Sequence, residues 1–276
     1  MIWHFIDSGA NTGNYNMQFD IELAHNCKPN EAYFRIYRWQ PYCISIGANQ
    51  NFDDINQIKT KADGIEVVKR PTGGRAILHA EELTYSVILP LNSEFSLREI
   101  YFKISCALMR GLEIYNPLLA KSELENYQPD FPKLLEEPSG VLCFTSAAKN
   151  EVKFNGKKLI GSAQRKFNNM VLQHGSILCG TFHRKLVDYL NCSDETKNAL
   201  AIELNDKTTE LQSILNEHID YEKLKTCLMF GFELEWKIKF DHSFLLMRET
   251  RPATCVGAGV KPAYLPAGQA RRTGRC

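Results

Sequence analysis

No stretch of this chain approaches the roughly 18 consecutive apolar residues that a spanning helix needs. Its amino terminus, MIWHFIDSGANTGNYNM, has neither the basic start nor the apolar run of a secretory signal, so a cytoplasmic protein with no membrane partner is expected. Charge of one sign is also lacking. With 33 Lys and Arg against 32 Asp and Glu, the formal net charge is +1, and no global field draws the chain to nucleic acid or an anionic surface. Cysteines are not scarce, but the nine at positions 27, 43, 106, 143, 179, 192, 227, 255 and 276 include no Cys-x-x-Cys pair. Neither a metal site nor a disulfide framework is expected, and most of these thiols should be buried as small apolar side chains. A Gly-x-Ser-x-Gly elbow is absent too. Gly156-x4-Gly161 imitates the start of a phosphate-binding loop, but Ser162-Ala163 stands where that loop requires Lys and Ser or Thr. No internal repeat is evident.

What remains is an ordinary globular composition, 44% hydrophobic and 24% charged over 276 residues, enough for one large core. NYNMQFDIELAH places Met17, Ile21 and Ala24 at helical spacing behind a Ser8-Gly9 entry. AYFRIYRW, CISIGANQ and LTYSVILP have the aromatic and branched content of strands, and EVVKRPTGGRAILH reads as strand, turn, strand. Residues 96–115 open on Ser96 with Glu99 three positions on, a capping box ahead of a helical period. Prolines 117, 129, 132 and 138 make 115–140 a long loop, MVLQHGSILCG is a strong strand, and charged helices follow over about 193–230. From Arg251 the Gly-, Ala-, Pro- and Arg-rich sequence has no apolar period and reads as a disordered tail. Paired strands with helices beside them predict one α+β domain over 1–250.

Four segments are candidates for chemistry. In KRPTGGRAILH, Gly73 and Gly74 let backbone approach a ligand, and Arg70, Arg75 and His79 supply donors around it; the alternative is a plain β-turn joining two strands. Asn155-Gly156 is the strongest short hairpin signal, and a two-residue loop sets Lys153 opposite Lys158 and Val152 opposite Leu159. Two facing ammonium groups need an anion or must lose basicity. Cys143, on a loop just ahead of the hairpin, is such an anion as thiolate, whereas solvated edge lysines are the competing reading. Gly161-Ser162-Ala163-Gln164 is small enough to line a channel or offer amides to an oxyanion. His174-Gly175, at the head of its strand, would border the same site or serve structure alone.

Taken in order, RPTGGRAILHAEELTYSV, CF, GKKLIGSAQ and LQHGSIL resemble the lipoate and biotin protein ligase and octanoyltransferase superfamily. The likeness is strongest to the octanoyltransferase branch that loads glycine cleavage H protein. It runs from FIDSG at 5–9 through YRWQPYCISIG at 37–47 to about residue 230. It implies a mixed β-sheet domain flanked by helices, of the biotin/lipoate ligase catalytic type. It also implies an acyl channel between the Arg70-to-His79 turn and the GSAQ segment, and octanoyl-acyl carrier protein as donor. By position Cys143 matches the family's acyl-thioester cysteine and Lys158 the lysine that lowers its pKa. The resemblance further implies that a lipoyl domain such as the H protein accepts the chain on a lysine; no cofactor is expected, and a monomer is the expectation for the chain itself. Backbone amides near Gly74 or Ala163 are the oxyanion candidates. Lys69 and Ala80 depart from the pattern, which often has arginine at the first position and an acidic residue after the histidine. Two rivals share parts of this picture. An ATP-dependent lipoate-protein ligase usually has a third glycine where Arg75 stands, and a non-catalytic acyl or lipoyl-domain binder would tolerate loss of the thiol.

Overall fold

In the computed structural model, residues 1–91, 94–126 and 150–241 are described. The chain opens on a strand that sequence periodicity did not suggest, β1 (Ile2–Asn11). The Ser8-Gly9 pair lies inside it, where Gly9 takes φ +68° and the register to the next strand shifts between Asp7 and Ala10. It is therefore a bulge, and Thr12 caps the helix α1 (Gly13–Asn26) by accepting from the Tyr15 N–H. Then come β2 (Glu31–Trp39), β3 (Cys43–Ile46), α2 (Gln57–Ala62), β4 (Glu66–Lys69), β5 (Ile77–His79) and β6 (Glu82–Pro90). The expected helix is α3 (Leu97–Tyr115), with Ser96 and Glu99 making both bonds of the capping box. The loop beyond it holds a 3-10 turn (Pro117–Lys121) and β7 (Glu123–Leu124). Its remainder, with prolines 129, 132 and 138, lies outside the described residues, as does 251–276.

The hairpin β8 (Val152–Phe154) and β9 (Lys157–Lys158) leads into β10 (Ile160–Phe167) and β11 (Met170–Leu178). The helices α4 (Asp194–Lys207), α5 (Leu211–Leu215) and α6 (Tyr221–Trp236) and the short β12 (Phe240–Asp241) complete the described chain. Six strands form one mixed sheet in the order β10-β11-β6-β2-β1-β12, with β1 parallel to β2 and β12 and the rest antiparallel. A second sheet has the order β4-β3-β5 and a third β7-β8-β9. The turn after β4 thus does not close a hairpin: β3 lies between β4 and β5, parallel to one and antiparallel to the other.

Alternation along β2, β6 and β11 gives the large sheet two unlike faces. Phe34 and Ile36, Leu83, Tyr85, Val87 and Leu89, and Val171 and Ile177 point into the main core. There α3 and α6 cover them, with Phe34 stacked on Phe232 at 3.9 Å. The two helices cross at Gly111 and Gly231, where an added Cβ on Gly231 would fall 2.4 Å from the Gly111 nitrogen. Arg35, Tyr37, Thr84, Ser86, His174 and Ser176 point the other way, toward α1 and the β4-β3-β5 sheet. That buried polar face is where the site lies. Among the described cysteines Cys27, Cys43, Cys179 and Cys227 are buried, Cys106 is half-buried and Cys192 exposed.

Candidate active site

A narrow cavity opens between the large sheet and the β4-β3-β5 sheet. Three of the four segments singled out in the sequence meet there: Arg70 and His79 around the turn, Gly161, Ser162 and Ala163 of β10, and His174 and Gly175 of β11. Met17, Tyr37, Trp39, Ser45 and Ile77 add walls that sequence reading did not assign. Gly73, Gly74, Arg75 and Gln164 do not line it. Gly74 sits at φ +89°, which restricts the position to glycine, and its carbonyl abuts Gly47 so closely that a Cβ there would lie 1.9 Å from it. Gln164 donates to Leu97 O and Gln173 Oε1, both at 3.1 Å, tying β10 to α3 and β11.

Arg70 is buried and its five N–H donors go inward. Nε and Nη2 donate to Gly73 O at 3.2 and 3.0 Å, Nη2 also to Arg75 O at 2.6 Å, and Nη1 to Ser45 O at 3.0 Å and Ser45 Oγ at 3.2 Å. The guanidinium therefore shapes the glycine turn, and its contribution to a ligand is the wall it forms. Ser45 Oγ lies 2.7 Å from His79 Nε2, and His79 Nδ1 lies 2.8 Å from Glu82 Oε1. Glu82 also accepts from Thr84 and Ser176, so the network assigns the Nδ1 proton of His79 to the Glu82 side. Burial raises the Glu82 pKa, but the His79 charge and these hydrogen bonds outweigh it and hold the carboxyl below its ordinary range. Glu82, three residues on, is the carboxylate that His79 meets, while Ala80, one of the two departures from the motif, is simply buried. Lys69 places its Nζ over the Phe52 ring, 5.7 Å from the centroid.

On the other wall His174 Nε2 lies 2.6 Å from Thr72 Oγ1, fastening the turn to the large sheet, and Nδ1 lies 3.6 Å from Asp20 Oδ2. Asp20 is fully buried and paired with Arg35 at 2.7 Å. Burial pushes the Asp20 pKa up, but Arg35 and the bonds from His174 and Ser86 bring it below the usual carboxylate value. Burial has the opposite consequence for imidazoles, and it outweighs Asp20 in lowering His174 and outweighs the Gly180 carbonyl in lowering His183.

A pH dependence follows from those directions. Below pH about 6.5 the unfolded chain takes up protons on positions 174 and 183 that the folded protein refuses until its lowered pKa values are reached. Stability is therefore fully present above that pH and falls as pH drops through the folded values. A second loss, from Asp20 and Glu82, begins as pH falls below about 4 and continues through their folded values. Thermal melts in steps from pH 8 to pH 3.5 should show Tm declining in these two stages; a Tm level from pH 7.5 to 5 contradicts the imidazole contribution.

The hairpin takes the expected register, Lys153 opposite Lys158, with Leu159 N–H donating to Val152 O at 3.0 Å. Each lysine meets a carboxylate: Lys153 Nζ lies 3.0 Å from Glu125, and Lys158 Nζ 2.9 Å from Glu151 Oε2. Lys158 and Glu151 are each 3% exposed. The other Glu151 oxygen, Oε1, accepts from the Ser162 N–H at 2.9 Å on the cavity wall. Because successive N–H groups of a strand point to opposite sides, this outward Ser162 amide puts the Ala163 N–H in the ladder to β11, away from any oxyanion. Cys143 lies outside the described residues, which resume at Asn150, whose N–H donates to Glu125 O at 2.8 Å. Glu151 was legible after all: in the hairpin register it is the diagonal neighbour of Lys158, a pairing the direct cross-strand count passes over.

The lipoyl protein ligase A/B catalytic domain family matches residues 12–233, more than half of the chain. The chain belongs to that family. It is 32% identical over 247 residues to a Lysinibacillus sphaericus protein named octanoyltransferase LipM, covering 86% of this chain and 88% of that one. With the protein of the same name from Bacillus subtilis the identity is 30% over 251 residues, covering 87% and 88%. Among solved structures, the bi-partite lipoate protein ligase of Thermoplasma acidophilum superposes with a TM-score of 0.68 at 18% identity, over 90% of this chain and 92% of that one. A lipoate-protein ligase A bound with ATP gives the same score and identity over 90% and 94%. These likenesses establish the fold anticipated from the motifs. Among the described residues no helix is long and apolar enough to cross a membrane.

Proposed function

We propose that this protein takes an octanoyl group from octanoyl-acyl carrier protein, holds it as a thioester on Cys143, and passes it to a lysine of a lipoyl domain such as that of glycine cleavage H protein. The chain is an acyltransferase of protein lipoylation, as the octanoyltransferases with which it shares about 86% of its length indicate. The carrying observation is the cavity, walled by Arg70 and His79 on one side and by Gly161, Ser162 and Ala163 on the other, with the buried Lys158 tied through Glu151 to the Ser162 amide.

The reaction runs in two steps, a thioester exchange onto the enzyme and then aminolysis of the enzyme's thioester. The Cys143 sulfur bonds to the octanoyl carbonyl carbon, the bond from that carbon to the carrier's sulfur breaks, and the carrier thiolate leaves and takes a proton. Thioester exchange is close to thermoneutral and consumes no nucleotide. An acceptor amine, with a reference pKa of about 10.4, then loses its proton and attacks the same carbon. The amide bond forms and Cys143 leaves as thiolate. The Lys158 ammonium favours that thiolate in both steps. The setting is the cytoplasm, where the nine cysteines stay reduced.

Incubation with octanoyl-acyl carrier protein should add one octanoyl mass to the intact protein without ATP, and hydroxylamine should remove it. Cys143→Ser should form no hydroxylamine-labile adduct. An adduct that persists in Cys143→Ser, or transfer that requires free octanoate and ATP, would defeat the reading, the second outcome in favour of the ligase reaction.

A further inference from the structure

Resting on that reading, we infer that the acyl chain lies across the large sheet with its methyl end against Met17, and that Met17 sets the length of unbranched hydrocarbon chain the enzyme accepts. Gly161, Ser176, Thr84 and Tyr37 stand in register on β10, β11, β6 and β2, and all four line the cavity. The first three are small and the last is an aromatic ring, so the row makes a floor that stops at Tyr37. Its three steps between neighbouring strands, each about 4.8 Å, run from the edge of the sheet to its interior. Among the described residues that line the cavity, Ser162 and Ala163 are half-buried and the others buried, which puts the mouth at β10 and the blind end at β2.

The polar side chains on this path are already engaged. Ser176 and Thr84 both donate to Glu82 Oε1, at 2.8 and 2.6 Å, and Thr84 Oγ1 accepts from Trp39 Nε1 at 2.7 Å. Tyr37 donates to Asp20 Oδ2 at 3.1 Å, and Ser162 Oγ lies 2.6 Å from the Tyr85 hydroxyl. A polar tail entering here would give up its water and meet groups bonded elsewhere, whereas a hydrocarbon has no such bonds to lose. The lining therefore selects an alkyl chain.

Length is decided at the blind end. Two of its side chains are held: the Tyr37 ring lies 3.9 Å from the Arg35 guanidinium, and Trp39 is stacked on His79 at 4.0 Å. Met17 of α1 packs with both in one buried cluster, and its unbranched thioether fills the gap by dispersion and can adopt other rotamers. Depth thus varies with position 17 while the aromatic frame stays.

The test uses the full-length protein and its Met17→Ala and Met17→Phe variants, with donors carrying acyl chains of six, eight, ten or twelve carbons on acyl carrier protein and transfer read as intact mass of the lipoyl domain. Met17→Ala should raise the ten- to eight-carbon ratio of initial rates about tenfold, and Met17→Phe should lower the eight- to six-carbon ratio as much, the scale of a methylene in a closed apolar pocket. Placement of the methyl end has its own readout. Trp39 lines the cavity, whereas Trp3 and Trp236 pack 5.0 Å apart in the main core on the opposite face. With 7-bromoheptanoate, in which bromine replaces the terminal methyl of octanoate, tryptophan fluorescence should be quenched more strongly than with 2-bromooctanoate. The difference should vanish in Trp39→Phe.

Uniform slowing at every chain length gives Met17 a structural role only and overturns the inference, as does equal quenching by the two bromo acids. If Met17→Ala does not fold, Met17→Phe decides: selective loss of the longer chains supports the assignment, and an unchanged ratio removes it. A wild type that transfers no acyl group takes down the functional reading, and the quenching then decides the placement in the cavity by itself. Octanoyl transfer by wild type with a length preference indifferent to both substitutions removes the inference alone.

Discussion

Arg35→Met should cost about 3–5 kcal/mol of folding stability, the penalty for leaving a buried partner charge uncompensated. Arg35 is fully buried in the centre of the polar face and uses every side of its guanidinium. Nη1 donates to Asp20 Oδ1 at 2.7 Å and to Asn16 O at 3.1 Å, Nη2 to Asn16 Oδ1 at 2.7 Å, and Nε to Ser8 Oγ at 2.9 Å. The planar group is also sandwiched between Phe19 at 4.3 Å and Tyr37 at 3.9 Å. Methionine fills the space but leaves the Asp20 carboxylate with hydroxyls and a histidine alone. Against a total stability of roughly 5–15 kcal/mol for a domain, that loss is large enough to lower soluble yield. Asp20→Asn in the Arg35→Met background should recover part of it, since two neutral groups need no counter-charge. Urea midpoints of the three proteins measure both effects, and a single-variant loss below about 1 kcal/mol would show that water reaches the pair and screens it.

Gly175→Ala should separate activity from stability. A Cβ at position 175 would lie 2.5 Å from Gly161 O, 2.7 Å from Ser162 Oγ and 2.8 Å from Tyr85 Cε1. The contacts closer than van der Waals distance can be relieved only by moving β10 outward or tilting the Tyr85 ring. Overpacking of this kind costs about 1–3 kcal/mol, so the variant should fold. The displaced strand carries Gly161, Ser162 and Ala163 away from the cavity, and with them the amide that Glu151 holds. A misplacement of about 1 Å in a reacting constellation can cost 10²-fold, and octanoyl loading should fall by about that factor. Loading within threefold of wild type, with an unchanged melt, would mean that the wall yields without affecting the acyl group.

The helix α3 and the Asn155-Gly156 hairpin were legible in the sequence because their signals are local. A capping box needs only Ser96 and Glu99 at fixed spacing, and a type of turn that demands positive φ announces itself by Asn and Gly, here at +50° and +75°. The strand after Asn169 was legible for a related reason, its long apolar and branched run. The β1 strand was not, because IWHFIDSGAN alternates imperfectly and is broken by the bulge at Gly9. Likewise Val67-Val68 and Ala76-Ile77-Leu78 identify two strands but not that β3 inserts between them, since partner choice depends on distant chain.

The candidate site divides the same way. Motif order named Arg70, His79, Lys158, the GSAQ strand and His174, and the fold brings most of their segments to one cavity. Which of these groups face it was decided only in three dimensions. Arg70 spends its donors on Gly73, Arg75 and Ser45, and the Ala163 amide is absorbed by the sheet, because a buried polar group must be satisfied by whatever lies nearest. Glu151, Glu82 and the Asp20–Arg35 pair entered for the converse reason: each meets its partner across elements or by diagonal register. Sequence thus determined the elements whose rules act over a few residues and the chemical types at the site. Tertiary structure decided partners, burial and direction, because charge pairing in a low-dielectric interior depends on distances that only the packed chain fixes.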